Sequence, residues 1–225
     1  MSVLLLVRHG QASWGADDYD RLSGTGERQA RLLGAELRRR GVGPCPVLTG
    51  TLRRHRETAD AVAVAAGWSG PMHRDAGWDE FNHEQVLARQ PPETGGTDGA
   101  GGQSRAEFQR WFEAATRRWS EGRFDDEYDE GFAAFSQRVD GALRRAVDRL
   151  AAGGTAVVVT SGGPVAWVAA SLLDGGRDGW ARLHPVVVNA SVTKVVVGGR
   201  GTTLVSFNDH GHLETDGVRG LVTYR

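Results

Sequence analysis

The feature that most restricts the fold is the opening run, Val3-Leu4-Leu5-Leu6-Val7, broken at once by Arg8-His9-Gly10-Gln11. Five consecutive apolar residues, partly β-branched and ended by charge, predict a short strand buried on both faces. Such strands belong to sheets covered by helices on both sides. Arg8 and His9 then fall at the strand's carboxyl end, where open α/β sheets hold their ligands. A guanidinium beside an imidazole suits an anion, although a solvated turn would show the same tripeptide.

The rest of the chain continues the alternation. A helix is predicted from about Gly26 to Arg40, with Ala30, Leu33 and Leu37 on one side, stopped by Gly41-Val42-Gly43-Pro44. Val47-Leu48-Thr49 reads as a second strand. A helix from about Leu52 to Ala66 places Thr58, Val62 and Ala66 on one face. A second buried strand, Ala156 to Thr160, runs into Ser161-Gly162-Gly163 and a helix to Leu173, and further strands are expected at 186–188, 191–197 and 203–207. Strand and helix in alternation predict βαβ units and a largely parallel sheet. Between about Phe81 and Glu130 the alternation stops. There Gln90 to Ser104 reads as a Gly- and Pro-rich loop, Phe108, Trp111, Phe112, Ala115 and Trp119 as the packing stripe of a helix, and Glu121 to Glu130 as a hydrated acidic run. A helix with Phe132, Phe135, Val139, Leu143, Ala146 and Leu150 on its apolar face follows.

Four further stretches give the pattern its meaning: Asp20-Arg21-Leu22-Ser23-Gly24-Thr25-Gly26-Glu27, Leu52-Arg53-Arg54-His55-Arg56-Glu57-Thr58-Ala59, Trp78-Asp79-Glu80, and the Val-rich strand before Ser161. In this order, with Arg8-His9-Gly10 first, the chain resembles the histidine phosphatase superfamily, the phosphoglycerate mutase-like fold, along nearly its whole length. The resemblance implies a three-layer α/β/α sandwich with a mostly parallel central sheet. It further implies one domain spanning 1–225, with residues of about 81–130 inserted as a helical cap that helps to enclose substrate. By resemblance His9 is the nucleophile, Arg8 and Arg54 clamp the phosphoryl group, and Glu80 protonates the leaving alcohol. Arg54 is chosen over Arg53 because the family places its Arg four residues before the Thr. Asp79 is set aside on the same motif, with Glu84 in reserve, and without the resemblance Glu80 could equally be a surface carboxylate. Gln11 and Ser13 stand where relatives touch phosphate or substrate, and Gly15 replaces an Asn often found there.

One position departs from the family. Where relatives carry a second His after the Val-rich strand, this chain has Ser161, which can donate one hydrogen bond but carries no charge. Ser161 and the backbone N–H groups of Gly162 and Gly163, opening a helix, could still bind phosphate; equally, Ser161 could be a plain N-cap. His55, His83, His184 and His210 could each replace the missing imidazole. Trp14, Trp78, Phe81 and His83 are candidates to line the substrate space, with core packing as the alternative for the aromatics. A serine hydrolase built on Ser161 is disfavoured because Val159 stands where a nucleophile elbow needs Gly. His210 and His212 lack a third ligand at a metal-site spacing, so no metal and no cofactor is expected.

The expected activity is a phosphomonoester hydrolase acting through phosphohistidine on a small phosphorylated metabolite, weakened by Ser161. The alternatives are a lapsed phosphate-binding or regulatory protein of the same fold and, behind it, a phosphoglycerate-type mutase. A net charge of −1 over 225 residues gives no basic footprint for nucleic acid. The clusters Arg38 to Arg40 and Arg53 to Arg56 fall on predicted helices as solvated faces. The apolar stretch from Thr155 to Leu173 is broken by Ser161-Gly162-Gly163-Pro164, which argues against a membrane span. A lone Cys45 and the lack of a basic-then-apolar leader point to the cytoplasm. The oligomeric state is open.

Overall fold

The computed structural model describes residues 1–13, 19–90, 105–215 and 220–224. Its centre is a six-stranded sheet of order β3-β2-β4-β1-β5-β6. The strands are β1 (Ser2–Arg8), β2 (Val47–Thr49), β3 (Met72–Arg74), β4 (Thr155–Thr160), β5 (Val192–Gly198) and β6 (Gly201–Asp209). β1, β2, β3 and β4 run parallel, while β5 lies antiparallel to β1 and β6 antiparallel to β5. The largely parallel sheet inferred from the alternation is present, with an antiparallel pair at one edge.

The side-chain alternation of the two central strands explains why both are apolar throughout. Leu5 and Val7 of β1, with Val157 and Val159 of β4, pack on Ala30, Leu33 and Leu37 of α1 (Gly24–Arg39) and Ala59 and Val62 of α2 (Arg53–Ala66). Leu4, Leu6, Ala156 and Val158 point to the opposite face, and they too are buried. Each Leu so buried contributes about 1.5–3 kcal/mol. A sheet that hides both faces needs helices on both, and the three layers follow. α1 opens on Ser23, whose Oγ accepts from the Gly26 N–H at 3.1 Å, the cap role Ser fills well.

The chain divides into two compact units, Met1–Glu80 with Arg138–Arg225, and Phe81–Gln137. The smaller holds α3 (His83–Ala88), α4 (Arg105–Glu121) and the start of α5 (Phe132–Asp148). Its centre is aromatic: Phe81 stacks on Trp119 at 4.5 Å between ring centroids, and Phe132 and Phe135 meet Trp119 edge-on at 5.1 and 5.3 Å. Of the expected stripe, Ala115 and Trp119 are buried, whereas Phe108, Trp111 and Phe112 are half-buried.

Several sequence readings are corrected. The strand expected at 186–188 is absent: His184–Val186 form a 3₁₀ turn, and Val187 and Val188 continue outside the sheet, buried by their surroundings rather than by strand pairing. Two short helices without strong periodicity, α3 and α7 (Gly176–Leu183), are not foreseen by the sequence pattern. The Arg53 to Arg56 cluster is not a purely solvated face, since Arg54 is buried. The Gly- and Pro-rich stretch after Gln90 lies, from 91 to 104, outside the described residues, as do Trp14 and Gly15. Among the described residues no helix is long and apolar enough to cross a membrane.

Candidate active site

The site is assembled where β1 and β4 end side by side, with Arg8 in register with Thr160 and the His9 N–H donating to the Thr160 carbonyl at 2.8 Å. Beyond the strand the chain must turn immediately, and it does so against α1. A Cβ on Gly10 would lie 2.4 Å from the Gly26 carbonyl oxygen, and one on Gly26 would lie 2.2 Å from that of Gln11. Glycine at both positions lets the helix start press on the loop. The loop is pinned further by Thr58 of α2, whose Oγ1 accepts from the Gly10 N–H at 3.0 Å and donates to the Arg54 carbonyl at 2.7 Å. The Thr that marks the Arg in sequence thus joins the strand that carries His9 to the helix that carries Arg54.

His9 is buried, and its Nδ1 lies 2.7 Å from the Gly10 carbonyl oxygen. A carbonyl can only accept, so Nδ1 carries the hydrogen and Nε2 presents a lone pair. Burial first, then the positive charges of Arg54 and Arg8 and the neighbouring His55, hold His9 well below the usual imidazole range, against the opposing bond to Gly10. The ring is therefore neutral at pH 7. Both guanidiniums that act on it are anchored. Arg8 Nη1 donates to the carbonyls of Val187 and Tyr224, and the group lies over Gly162, whose Cβ would come 3.5 Å from Arg8 Nε. Arg54 Nη1 donates to Asp20 Oδ1 at 2.7 Å, while Asp20 Oδ2 accepts the Arg53 N–H at 2.7 Å. Asp20, a residue given no role from the sequence, orients the second guanidinium.

The far side of the site is the turn from β4 into α6 (Gly162–Leu172). Glu80 is half-buried and its Oε2 accepts the Gly163 N–H at 3.0 Å, a placement the helix dipole favours for a carboxylate. Ser161 occupies the N-cap position, yet its side chain makes no cap bond. Its Oγ lies instead 2.7 Å from Nε2 of His55, so the plain N-cap reading is corrected: Glu80 meets the helix start and Ser161 faces an imidazole.

The other candidates separate. His55 is fully buried, its ring centroid 5.6 Å from that of His9. His184 stacks on Trp180 at 4.7 Å and borders Gly162. His210 bonds the Asn208 carbonyl, and His83 and Glu84 belong to the 81–137 unit, Glu84 exposed in the first turn of α3. Ser13 Oγ donates to the Leu22 carbonyl at 3.0 Å, and the Gln11 side-chain oxygen accepts from Ser23 Oγ at 2.9 Å. Asp79 takes the N–H and Oγ1 of Thr51 on its two oxygens, each at 2.5 Å. Trp78 is fully buried core, and Phe81 is part of the aromatic centre of the smaller unit. Among the described residues no group of three or more His, Cys, Asp or Glu could hold a metal ion.

The mixed α/β sheet thus carries, at the end of a central strand, a buried imidazole under the charge of two anchored guanidiniums, Arg8 from that strand and Arg54 from α2. The chain belongs to the histidine phosphatase superfamily, branch 1, whose family model matches residues 4–210. Solved structures share its fold. YhfR of Bacillus stearothermophilus is 24% identical, with a TM-score of 0.70 over 95% of this chain and 100% of that one. A phosphoserine phosphatase mutant from Entamoeba histolytica is 19% identical, TM-score 0.68, again over 95% and 100%. The mycobacterial glucosyl-3-phosphoglycerate phosphatase is 21% identical, TM-score 0.63, over 92% and 98%. No curated protein sequence matches the chain closely enough to count as a relative.

Proposed function

We propose that the protein hydrolyses phosphomonoesters of small metabolites through a phosphohistidine at His9, without a cofactor. The observation that carries this reading is the fixed tautomer of His9: Nδ1–H is engaged by Gly10, and the Nε2 lone pair sits under the influence of two guanidiniums. Arg8 and Arg54 take the phosphoryl oxygens with paired hydrogen bonds. His9 Nε2 attacks phosphorus in line, the bond to the leaving oxygen breaks, and Glu80 supplies the proton that the departing alcohol needs. Water then attacks the phosphorus of the P–N intermediate, Glu80 accepts its proton, and inorganic phosphate leaves with the imidazole restored.

Gly162 adds a backbone donor at the start of α6, with Gln11 and Ser13 as further contacts. Discrimination between substrates is assigned to the loop after Gln11 and to the insertion of about 81–130. The similarity to phosphatases of phosphoserine and of glucosyl-3-phosphoglycerate supports hydrolysis of a small phosphorylated compound. A phosphoglycerate-type mutase is disfavoured, because no segment of the sequence matches the substrate-holding insertions of the glycolytic mutases. The test is turnover of a generic aryl phosphate by the parent, His9→Ala and Glu80→Gln. Turnover lost in His9→Ala supports the reading; turnover undiminished in it refutes the mechanism, and no turnover in the parent favours the phosphate-binding alternative.

A further inference from the structure

The mechanism above leaves a buried titratable group without a task. His55 is fully inaccessible, yet it is not packed as an inert ring: Nε2 lies 2.7 Å from Ser161 Oγ, Nδ1 lies 3.8 Å from Asp79 Oδ1, and the ring stands 5.6 Å from His9. Its seat depends on Gly50. A Cβ there would fall 2.3 Å from His55 Nδ1 and 2.5 Å from Asp79 Oδ1. Thr51, the next residue, fixes both oxygens of that carboxylate through its N–H and Oγ1. Ser161, also fully buried, leaves its helix uncapped by its own side chain in order to face the ring.

The direction of the Ser161–His55 bond follows from the charges around it. A carboxylate facing Nδ1 favours a hydrogen on that nitrogen, so in the neutral ring Nε2 has a lone pair and accepts the Ser161 hydroxyl hydrogen. In the empty site that hydroxyl points at His55 rather than at an incoming anion. A bound dianion changes the balance. Burial and, behind it, Arg54 oppose a positive charge on His55, whereas the Asp79 carboxylate 3.8 Å from Nδ1 and an anion bound beside His9 would each favour it. Once protonated, His55 has hydrogens on both nitrogens and Nε2–H donates to Ser161 Oγ. The hydroxyl hydrogen is then available to the anion.

We propose that Asp79, His55 and Ser161 form a proton-coupled relay: on oxyanion binding His55 takes one proton from solvent, and Ser161 turns its hydroxyl from His55 to a phosphoryl oxygen. Ser161 touches the ligand; His55 acts through it as a positioning residue, with Asp79 behind. The relay rests on the reading of the pocket as a phosphoryl site. It makes the Ser161–His55 pair a hydroxyl backed by a switchable charge, assembled from β4 and α2.

Tungstate, a dianion near neutral pH, is the probe. Calorimetric titration at pH 7.5 in buffers of different ionisation enthalpy gives the protons taken up on binding. For the parent the expected uptake approaches one proton. For His55→Gln, which keeps a polar side chain but cannot titrate, tungstate still binds, about tenfold more weakly, and the uptake falls towards zero. Ser161→Ala loses a similar factor in affinity. Steady-state kinetics of His55→Gln show a raised KM and a flattened acid limb of the pH profile, changes that loss of packing alone would not produce together. Uptake unchanged in His55→Gln assigns the proton to another group and overturns the relay, as does acid-stable phosphate on Ser161, which would make that residue a nucleophile. Histidine ring 15N spectra of the parent need no variant: a residue-55 ring that becomes imidazolium with tungstate supports the relay, and one that stays neutral overturns it. Acid-labile phosphate on His9 is measured alongside. Its presence with uptake indifferent to residue 55 refutes the relay alone, whereas its absence together with no tungstate binding refutes the phosphoryl-site reading and the relay with it.

Discussion

The carboxyl ends of β1 and β4 lie side by side, Arg8 opposite Thr160, and they furnish the site by different routes. At the end of β1 the chain itself provides the chemistry: Arg8 and His9 are consecutive, and Gly10 lets α1 close on them. At the end of β4 the chain provides a hydroxyl, and the imidazole behind it comes from α2, 106 positions away in sequence. A strand end can thus deliver a functional group directly or borrow one from a packed neighbour. The borrowed arrangement needs more support: a glycine at 50 for space, Thr51 to hold Asp79, and Glu80 to take the helix N–H that Ser161 leaves.

The largest effect that separates the two ends is expected from His9→Ala. Removal of a nucleophile leaves only binding and charge stabilisation, so kcat for an aryl phosphate should fall by about 10⁴-fold or more, read by steady-state turnover. Next is Glu80→Gln, which keeps the shape at the β4 side but withdraws the proton. A loss of about 10²-fold in kcat is expected for an ester with a poor leaving group, and much less for an aryl phosphate, because a general acid matters in proportion to the basicity of what departs. Comparable losses for both esters would remove Glu80 from that role.

A smaller effect should come from Thr58→Val, which cuts the tie between the β1 loop and α2. The Gly10 N–H would lose its partner, and an unsatisfied buried donor costs about 1–3 kcal/mol, measurable as a lowered urea midpoint. The same substitution should leave the Ser161–His55 pair in place, so tungstate-linked proton uptake is retained while KM rises. A change of uptake in Thr58→Val would show that the two ends are not separable.

How much of this could be read beforehand divides along the same line. β1, β4, α1 and α2 carry strong apolar patterns, and they were placed within a few residues. Arg8, His9, Arg54 and Glu80 stand in short local motifs from which the family resemblance draws a role for each, and in the structure the charges of Arg8 and Arg54 both act on the His9 ring. Asp20, Gly50 and the seat of His55 could not be assigned, because nothing local marks a contact between distant elements. His55 stood as one of four candidate histidines until packing separated it from His83, His184 and His210. The strand wrongly expected at 186–188 shows the same limit: three valine-rich positions describe burial, and burial has other sources than a sheet.

The smallest expected effect is on stability against pH. His9 and His55, one at each end, are held below the usual imidazole range by burial, and His212 is lowered to about 4 for the same reason. A histidine whose folded-state pKa is depressed contributes stability in full above its unfolded value, about 6.5, and loses it as pH falls towards the folded value. Urea midpoints should therefore decline from pH 7 towards pH 4, and the decline should be shallower in His55→Gln. An equal slope in parent and variant would mean that His55 is not neutral in the folded protein.

The most direct test of the account is to quench the protein within milliseconds of mixing with an aryl phosphate and locate covalent phosphate by mass spectrometry under alkaline conditions, where a phosphoramidate survives. The account predicts phosphate on His9, lost on acid treatment and absent from His9→Ala. Turnover by the parent with no phosphate at His9, or with phosphate on Ser161 instead, would contradict it.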